Sequence, residues 1–204
     1  LRCDLVVEFA PSLKVEKARE YLCHGVCRRL RIVRRCVDNI FTIFPIRREQ
    51  LLSDDERSDL EINLHAFIVN IHGLLDNIAW VFVFEKSIKN LIGGSRLDVG
   101  LFSVRTQKHL PAAVCSYLNS DRIKDWYKQY AKNYRDALLH RIPLYVPPSV
   151  MIPAEEKRYR DLEIRISDAN QCGNFRDAKV LIEEQKTIGS ICAAFKHSFS
   201  DSDA

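Results

Sequence analysis

Apolar residues return every three or four positions from early in the chain. Val15, Ala18, Leu22, Val26, Leu30, Val33 and Val37 form such a series. It is the stripe of an amphipathic helix and predicts one over about 13–37. Residues 1–11 are expected to be an extended arm ending at Pro11, and Pro45 closes the segment after the helix. Ser53-Asp54-Asp55-Glu56 then reads as a capping box, with acids where a helix N-terminus favours them. The pattern continues to Ile92 and stops at Gly93-Gly94. A long central helix is therefore expected near 54–92, roughly 58 Å if unbroken. Gly73 within it allows a bend or a close helix contact.

Residues 95–106 read as a loop and 108–118 as a short helix. Asn119-Ser120-Asp121 offers N-caps for a helix reaching about Arg141 and stopped by Pro143. Pro143, Pro147, Pro148 and Pro153 make 143–153 an irregular connector. A further helix is expected from Pro153 to near Cys172-Gly173, and a last one over about 176–197, before a frayed Ser/Asp-rich tail. The resulting fold class is all-α: an antiparallel helical bundle of about five to six helices. The expected organisation is one helical domain over 1–204, its last two helices forming a hairpin near 153–199. Seven Gly and seven Pro leave long stretches without a breaker. With 47% apolar and 28% charged residues the composition is globular and argues against disorder.

Charge changes this picture locally. The net charge of +4 is too small to predict nucleic-acid binding, but 14–48 holds ten Lys/Arg against three Asp/Glu. Arg28, Arg29, Arg31, Arg34 and Arg35, with Arg47 and Arg48, are either an RNA-gripping patch or a solvated face paired to acids; Arg28, Arg31 and Arg35 are the candidate RNA contacts. The seven cysteines are odd in number and irregularly spaced, which fits reduced thiols and a cytoplasmic setting. The apolar segment 62–84 is interrupted by Asn63, His65, Asn70, His72, Asp76 and Asn77, which argues against a membrane span.

On the predicted helix 121–141, Ile123, Trp126, Tyr127, Tyr130, Tyr134, Ala137 and Leu138 share one broad packing stripe at 100° per residue. Arg135, Leu139 and His140 lie on the other side, and Asp136 sits one turn before His140. A leucine on that second face needs a partner, another subunit or another helix layer. The segment Asn133-Tyr134-Arg135-Asp136-Ala137-Leu138-Leu139-His140 fits an Arg–polar–three-residue–His pattern. With the following Arg141-Ile142-Pro143 and Pro147-Pro148, it resembles the HEPN superfamily, in particular a bacterial branch of it. The resemblance implies a helical core over about 50–145 and a homodimer. It further implies a metal-independent endoribonuclease whose Arg and His meet where the motif helices of two protomers join. It calls for no metal and no cofactor. In such a site Arg135 would hold phosphate oxygens with two parallel donors. His140 would accept or give the proton as the RNA 2′-hydroxyl attacks. Asp136 would orient His140 or raise its pKa.

Other readings stand beside this one. Arg135 and His140 also suit an ion pair across the bundle and a helix C-cap, and many HEPN domains are inactive RNA-binding, nucleotide-binding or dimerisation modules. Asn63, Asn70 and Asn77 recur at seven residues, so they either set register against a neighbouring helix or, through Asp76 and Asn77, reach the Arg135/His140 site. His72 with Asp76, and Cys23, His24 and Cys27, hint at metal ligands, but neither group has a second half.

Overall fold

The computed structural model describes residues 3–95 and 98–191. Among these the regular elements are helical, and one isolated antiparallel bridge joins Val150 to Ser190. The protein is all-α, as the apolar spacing predicts. In chain order the α-helices are α1 (Cys3–Phe9), α2 (Glu16–Glu20), α3 (Cys27–Ile43), α4 (Asp54–Glu85), α5 (Val104–Gln107), α6 (Ala112–Leu118), α7 (Asp121–Trp126), α8 (Asn133–His140), α9 (Pro153–Gln171) and α10 (Phe175–Gln185). A π-helical turn at Tyr21–Val26 joins α2 to α3, and a second at Tyr127–Lys132 joins α7 to α8. The chain forms two compact units. One holds the described residues up to Thr42 together with Ile62–Leu144; the other holds Ile43–Glu61 and the described residues from Tyr145.

In the first unit the predicted stripe is the core. Ala18, Leu22, Val26, Leu30 and Val33 are buried, Val15 and Val37 half-buried; Cys36, outside the predicted stripe, is buried too, which pushes its thiol pKa up. The expected extended arm is instead helical. α1 leads into a 3₁₀ turn, Ala10–Ser12, with Pro11 in its first turn, where the missing N–H costs nothing. Val6, Ala10 and Leu13 join the cluster of Leu22, Val26, Leu30 and Val81, so burial of an apolar face decides against the arm.

The central helix ends at Glu85, short of the expected Ile92. Ser87 takes a left-handed φ of 53°. Its N–H reaches Phe84 O (3.0 Å) and the Ile88 N–H reaches Val83 O (3.2 Å), closing a Schellman motif without glycine. The reversal folds Ile88 and Ile92 back onto Ala79 and Val83. At the same end the Glu85 carboxylate accepts the Lys14 and Val15 N–H groups at 3.0–3.1 Å, which holds its pKa below the usual range. By length and composition α4 could cross a membrane, its most apolar window having mean hydropathy 1.6. Its asparagines face the segment that holds α3. Asn39 Nδ2 donates to Asn63 Oδ1 (2.9 Å), Arg29 donates to Asn70 Oδ1 (3.1 Å), and Asn77 lies against Gly25, where a Cβ would come within 2.3 Å of its amide. The asparagine line therefore pairs α4 with a single rod made of α3 and the π turn that leads into it.

In the second unit α9 and α10 form the expected hairpin around Leu162, Leu181 and Ile188. Gly173 (φ +74°) makes the turn between them. α10 stops at Gln185, earlier than expected, because Gly189 (φ +99°) turns the chain so that Ser190 and Val150 exchange two 2.8 Å hydrogen bonds. Residues 186–191 are described and not helical; the expected helix beyond them and the Ser/Asp tail lie outside the described residues. The capping box at Ser53 and Glu56 is present, with bonds of 2.8 and 3.2 Å. Arg48 braces it, giving two bonds of 2.7–2.8 Å to the Glu56 carboxylate and others to Ile43 O, Gln50 O and Leu51 O. These bonds bring the Glu56 pKa to about 2.

Arg48→Ala is expected to lower the melting temperature clearly, while Arg47→Ala, at an exposed position, leaves it unchanged; equal effects would rule out the brace. Glu56 is depressed on folding, so its contribution is complete above the ordinary carboxylate pKa and is lost as pH falls towards 2. Leu162→Ala is expected to destabilise by about 2–5 kcal/mol in denaturant titration, since Leu162 is buried and its loss leaves a cavity.

Candidate functional site

The Asn-bearing side of α4 is committed to α3, so the opposite side is left for α8. His72 follows Asn63 by nine residues, half a turn around the helix. His65, on the same side, donates from Nε2 to the Leu144 carbonyl (2.7 Å), fastening the segment that follows α8. The π turn before α8 inserts an extra residue into the helix and rotates everything after it by roughly 100°. Tyr130, expected in the packing stripe, is exposed and Ala131 beside it is buried, while Ala137 is buried as expected; Trp126, before the turn, is exposed as well. Arg135, expected away from the core, is brought inward beside His72.

Five side chains then form a connected series. His72 Nδ1 lies 3.3 Å from Asp76 Oδ2, and Arg135 reaches His72 Nε2 at 3.3 Å. A guanidinium can only donate, so Nε2 accepts, and the proton of a neutral His72 sits on Nδ1, facing Asp76. Arg135 also pairs with Asp136 Oδ1 (2.9 Å), and Lys132 holds Asp136 Oδ2 (2.7 Å). Burial pushes the Asp136 carboxyl up. The Lys132 hydrogen bond and the charges of Arg135, Lys132 and Arg141 outweigh it and leave the pKa below its ordinary value. The Arg135 Nε–H is buried with no acceptor among the described residues. Tyr127 stacks on Phe102 at 3.7 Å between centroids; burial first, then the Asp76 charge, pushes its phenol pKa up.

These groups border an open groove of about 590 Å³. One wall is His72, Gly73 and Asp76 of α4. A second is Tyr127, Lys132, Arg135 and Leu139. A third is the 99–103 loop, held by Thr106, whose buried hydroxyl bonds Asp98 O and Gly100 N, and by the Arg105–Asp98 ion pair (2.7 Å). Arg29 enters from α3.

The residues singled out in the sequence are divided by this geometry. Arg135 and Asp76 line the groove, and Asp136 lies behind it on Arg135 and Lys132. Asp136 does not pair with His140 among the described residues: its carboxylate is taken by two nearer cations. His140 is exposed at the end of α8, off the groove and without a hydrogen-bond partner among the described residues. Asn77 faces Gly25 rather than Arg135. Arg28, Arg31 and Arg35 are exposed on α3, Arg28 lying 3.3 Å from His24 Nδ1. Cys27 is buried and His24 exposed, so Cys23, His24 and Cys27 do not converge. Sequence reasoning missed Lys132, Tyr127 and Arg29 as groove residues and took His72 only as half of a metal pair. Among the described residues no three His, Cys, Asp or Glu side chains are grouped to hold a metal ion.

Because the folded pKa of Asp136 is depressed, its stabilising effect is complete above about pH 4 and fades as pH falls through the lower folded value. The gap in urea midpoint between the wild type and Asp136→Asn is therefore expected to shrink between pH 5.5 and 2.5. A constant gap would show that the carboxylate is not coupled to its two cations. Comparisons with protein-family models, with curated proteins and with solved structures found no match for this chain.

Proposed function

We propose that this chain is a HEPN-type endoribonuclease that cleaves RNA through its own 2′-hydroxyl, without a metal ion, in a site shared by two copies. The observation that carries the reading is the division of labour on α8. Arg135 faces an open, cation-lined groove, and five residues later an unencumbered imidazole, His140, stands in solvent roughly 140° around the helix. A guanidinium suits the phosphate oxygens, and an imidazole is the side chain type that ordinarily changes charge near neutrality. Attack by the 2′-hydroxyl forms the new P–O bond, and the 5′-oxygen leaves with a proton. The products are a 2′,3′-cyclic phosphate and a free 5′-hydroxyl. The shared site is supported by Leu139 beside His140, 55% exposed, and by Ile62 and Val69, exposed along α4. A second copy would cover these apolar side chains.

A different observation favours a second reading. Both terminal nitrogens of Arg135 are already engaged, one by Asp136 and one by His72. A guanidinium so occupied fits a module that binds RNA or a nucleotide, or dimerises, without chemistry.

The test is cleavage of single-stranded RNA in excess EDTA. The enzyme reading expects 2′,3′-cyclic phosphate ends and a rate loss of about 10²–10⁴ in His140→Ala. Cleavage surviving undiminished in that variant would assign it to a contaminant. No cleavage by the wild type, with an altered dimerisation or melting temperature in His140→Ala, would favour the module.

A further inference from the structure

Arg29 stands apart from the other arginines of its helix. Arg28, Arg31, Arg34 and Arg35 are exposed, whereas Arg29 is half-buried and reaches over α4 into the groove. Two features seat it. Asn70 Oδ1 accepts from its Nη1 at 3.1 Å, and Gly73 clears its path. A Cβ at Gly73 would lie 2.4 Å from the Arg29 Cζ and 2.5 Å from Nη1, so no other residue leaves the guanidinium where it is. Gly73 directly follows His72, which holds Arg135. The two guanidinium groups thus rest at adjacent positions of one helix and border one groove.

The balance of charge separates the two. Arg135 and Lys132 share the Asp136 carboxylate, and Asp76 faces His72. Among the described residues Arg29 has a neutral amide as its partner and no carboxylate. Arg29 is therefore the cation of the groove that has no carboxylate on it among the described residues. Holding an unpaired cation this way is unfavourable unless an anion arrives, because partly desolvated charge gains most from a charged, hydrogen-bonding partner. Planar forks that donate in pairs match the oxygens of a phosphate group.

We propose that Arg29, seated on Gly73, forms with Arg135 a two-guanidinium clamp for a phosphate group. This rests on the groove being the functional site, and it adds to the Arg135–His140 pair a phosphate-binding residue from a different helix. The clamp explains why a glycine stands in the middle of a long helix: alanine is the better helix former, but a side chain there would displace the guanidinium.

The experiment is calorimetric titration of the full chain with inorganic pyrophosphate, too small to reach from the groove to the exposed face of α3. The wild type is expected to bind, and Arg29→Gln to weaken binding at least about tenfold, the usual scale for a hydrogen bond to a charged group. Gly73→Ala, which keeps Arg29 but takes away its seat, is expected to weaken it similarly, with Arg31→Gln unchanged. Failure of the wild type to bind, or binding by Arg29→Gln equal to wild type, overturns the clamp. Melting curves verify that the variants are folded, and if Gly73→Ala is not, Arg29→Gln decides alone. RNA cleavage plays no part in this measurement. Loss of pyrophosphate binding in Arg29→Gln with no cleavage by the wild type would reject the ribonuclease and keep the clamp; cleavage with unchanged binding would do the reverse.

Discussion

The first unit depends on the pairing of α4 with the α3 rod along a line of three amides. On a helix as apolar as α4, hydrophobic contact alone would allow sliding from one turn to the next. Asn63, Asn70 and Asn77 remove that freedom. Asn63 accepts from Asn39 and Asn70 from Arg29, and Asn77 packs on Gly25, all in one register. A shift by one turn would bury amides without partners, each costing roughly 1–3 kcal/mol. The same register sets the site. With one side of α4 given to α3, His65, His72 and Asp76 are left on the other side, and Gly73 lies between the two.

The parts of the fold that were legible in the sequence rest on local chemistry. The α3 stripe, the Ser53–Glu56 box and the Gly173 turn each declare themselves within a few residues. The parts that were not legible are settled by contacts distant in sequence. Val6 and Ala10 belong in a helix because Leu22 and Val81 await them. α4 ends at Glu85 because Ile88 and Ile92 gain burial by folding back, and a serine adopts the left-handed turn that glycine would have announced. The π turn leaves no mark in the apolar spacing, yet it turns Tyr130 outward and Arg135 inward. In the site, Asp76 was within reach of helical periodicity, and Arg135 was named by its spacing to His140 but placed on the wrong side of its helix. Arg29 and Lys132 were not within reach, because a charged residue on a helix gives no sign of which neighbouring helix it will lean over.

The series Asp76–His72–Arg135–Asp136–Lys132 has a simple electrostatic logic. Carboxylates and cations alternate along it, with the His72 imidazole linking one helix to the other. His72 serves as an acceptor towards Arg135 only while it is uncharged, and Asp76 settles which nitrogen carries its proton. The arrangement fixes the Arg135 guanidinium from two sides and leaves its third kind of nitrogen unmatched. Such a guanidinium is oriented in advance, so little of its side-chain entropy remains to be lost when an anion binds.

For the proposed chemistry, the geometry of α8 favours two chains over one. In-line cleavage needs a group that takes a proton from the 2′-oxygen and another that gives one to the departing 5′-oxygen on the opposite side of phosphorus. One chain has a single His140, and it diverges from the direction of Arg135. Two copies meeting across Leu139 would bring two imidazoles and two guanidinium groups to one phosphate, enough for both proton transfers and for the charge that builds between them. That His140 has no hydrogen-bond partner among the described residues is then an advantage: an imidazole already tied to Asp136 could not turn to face a substrate held by the other copy.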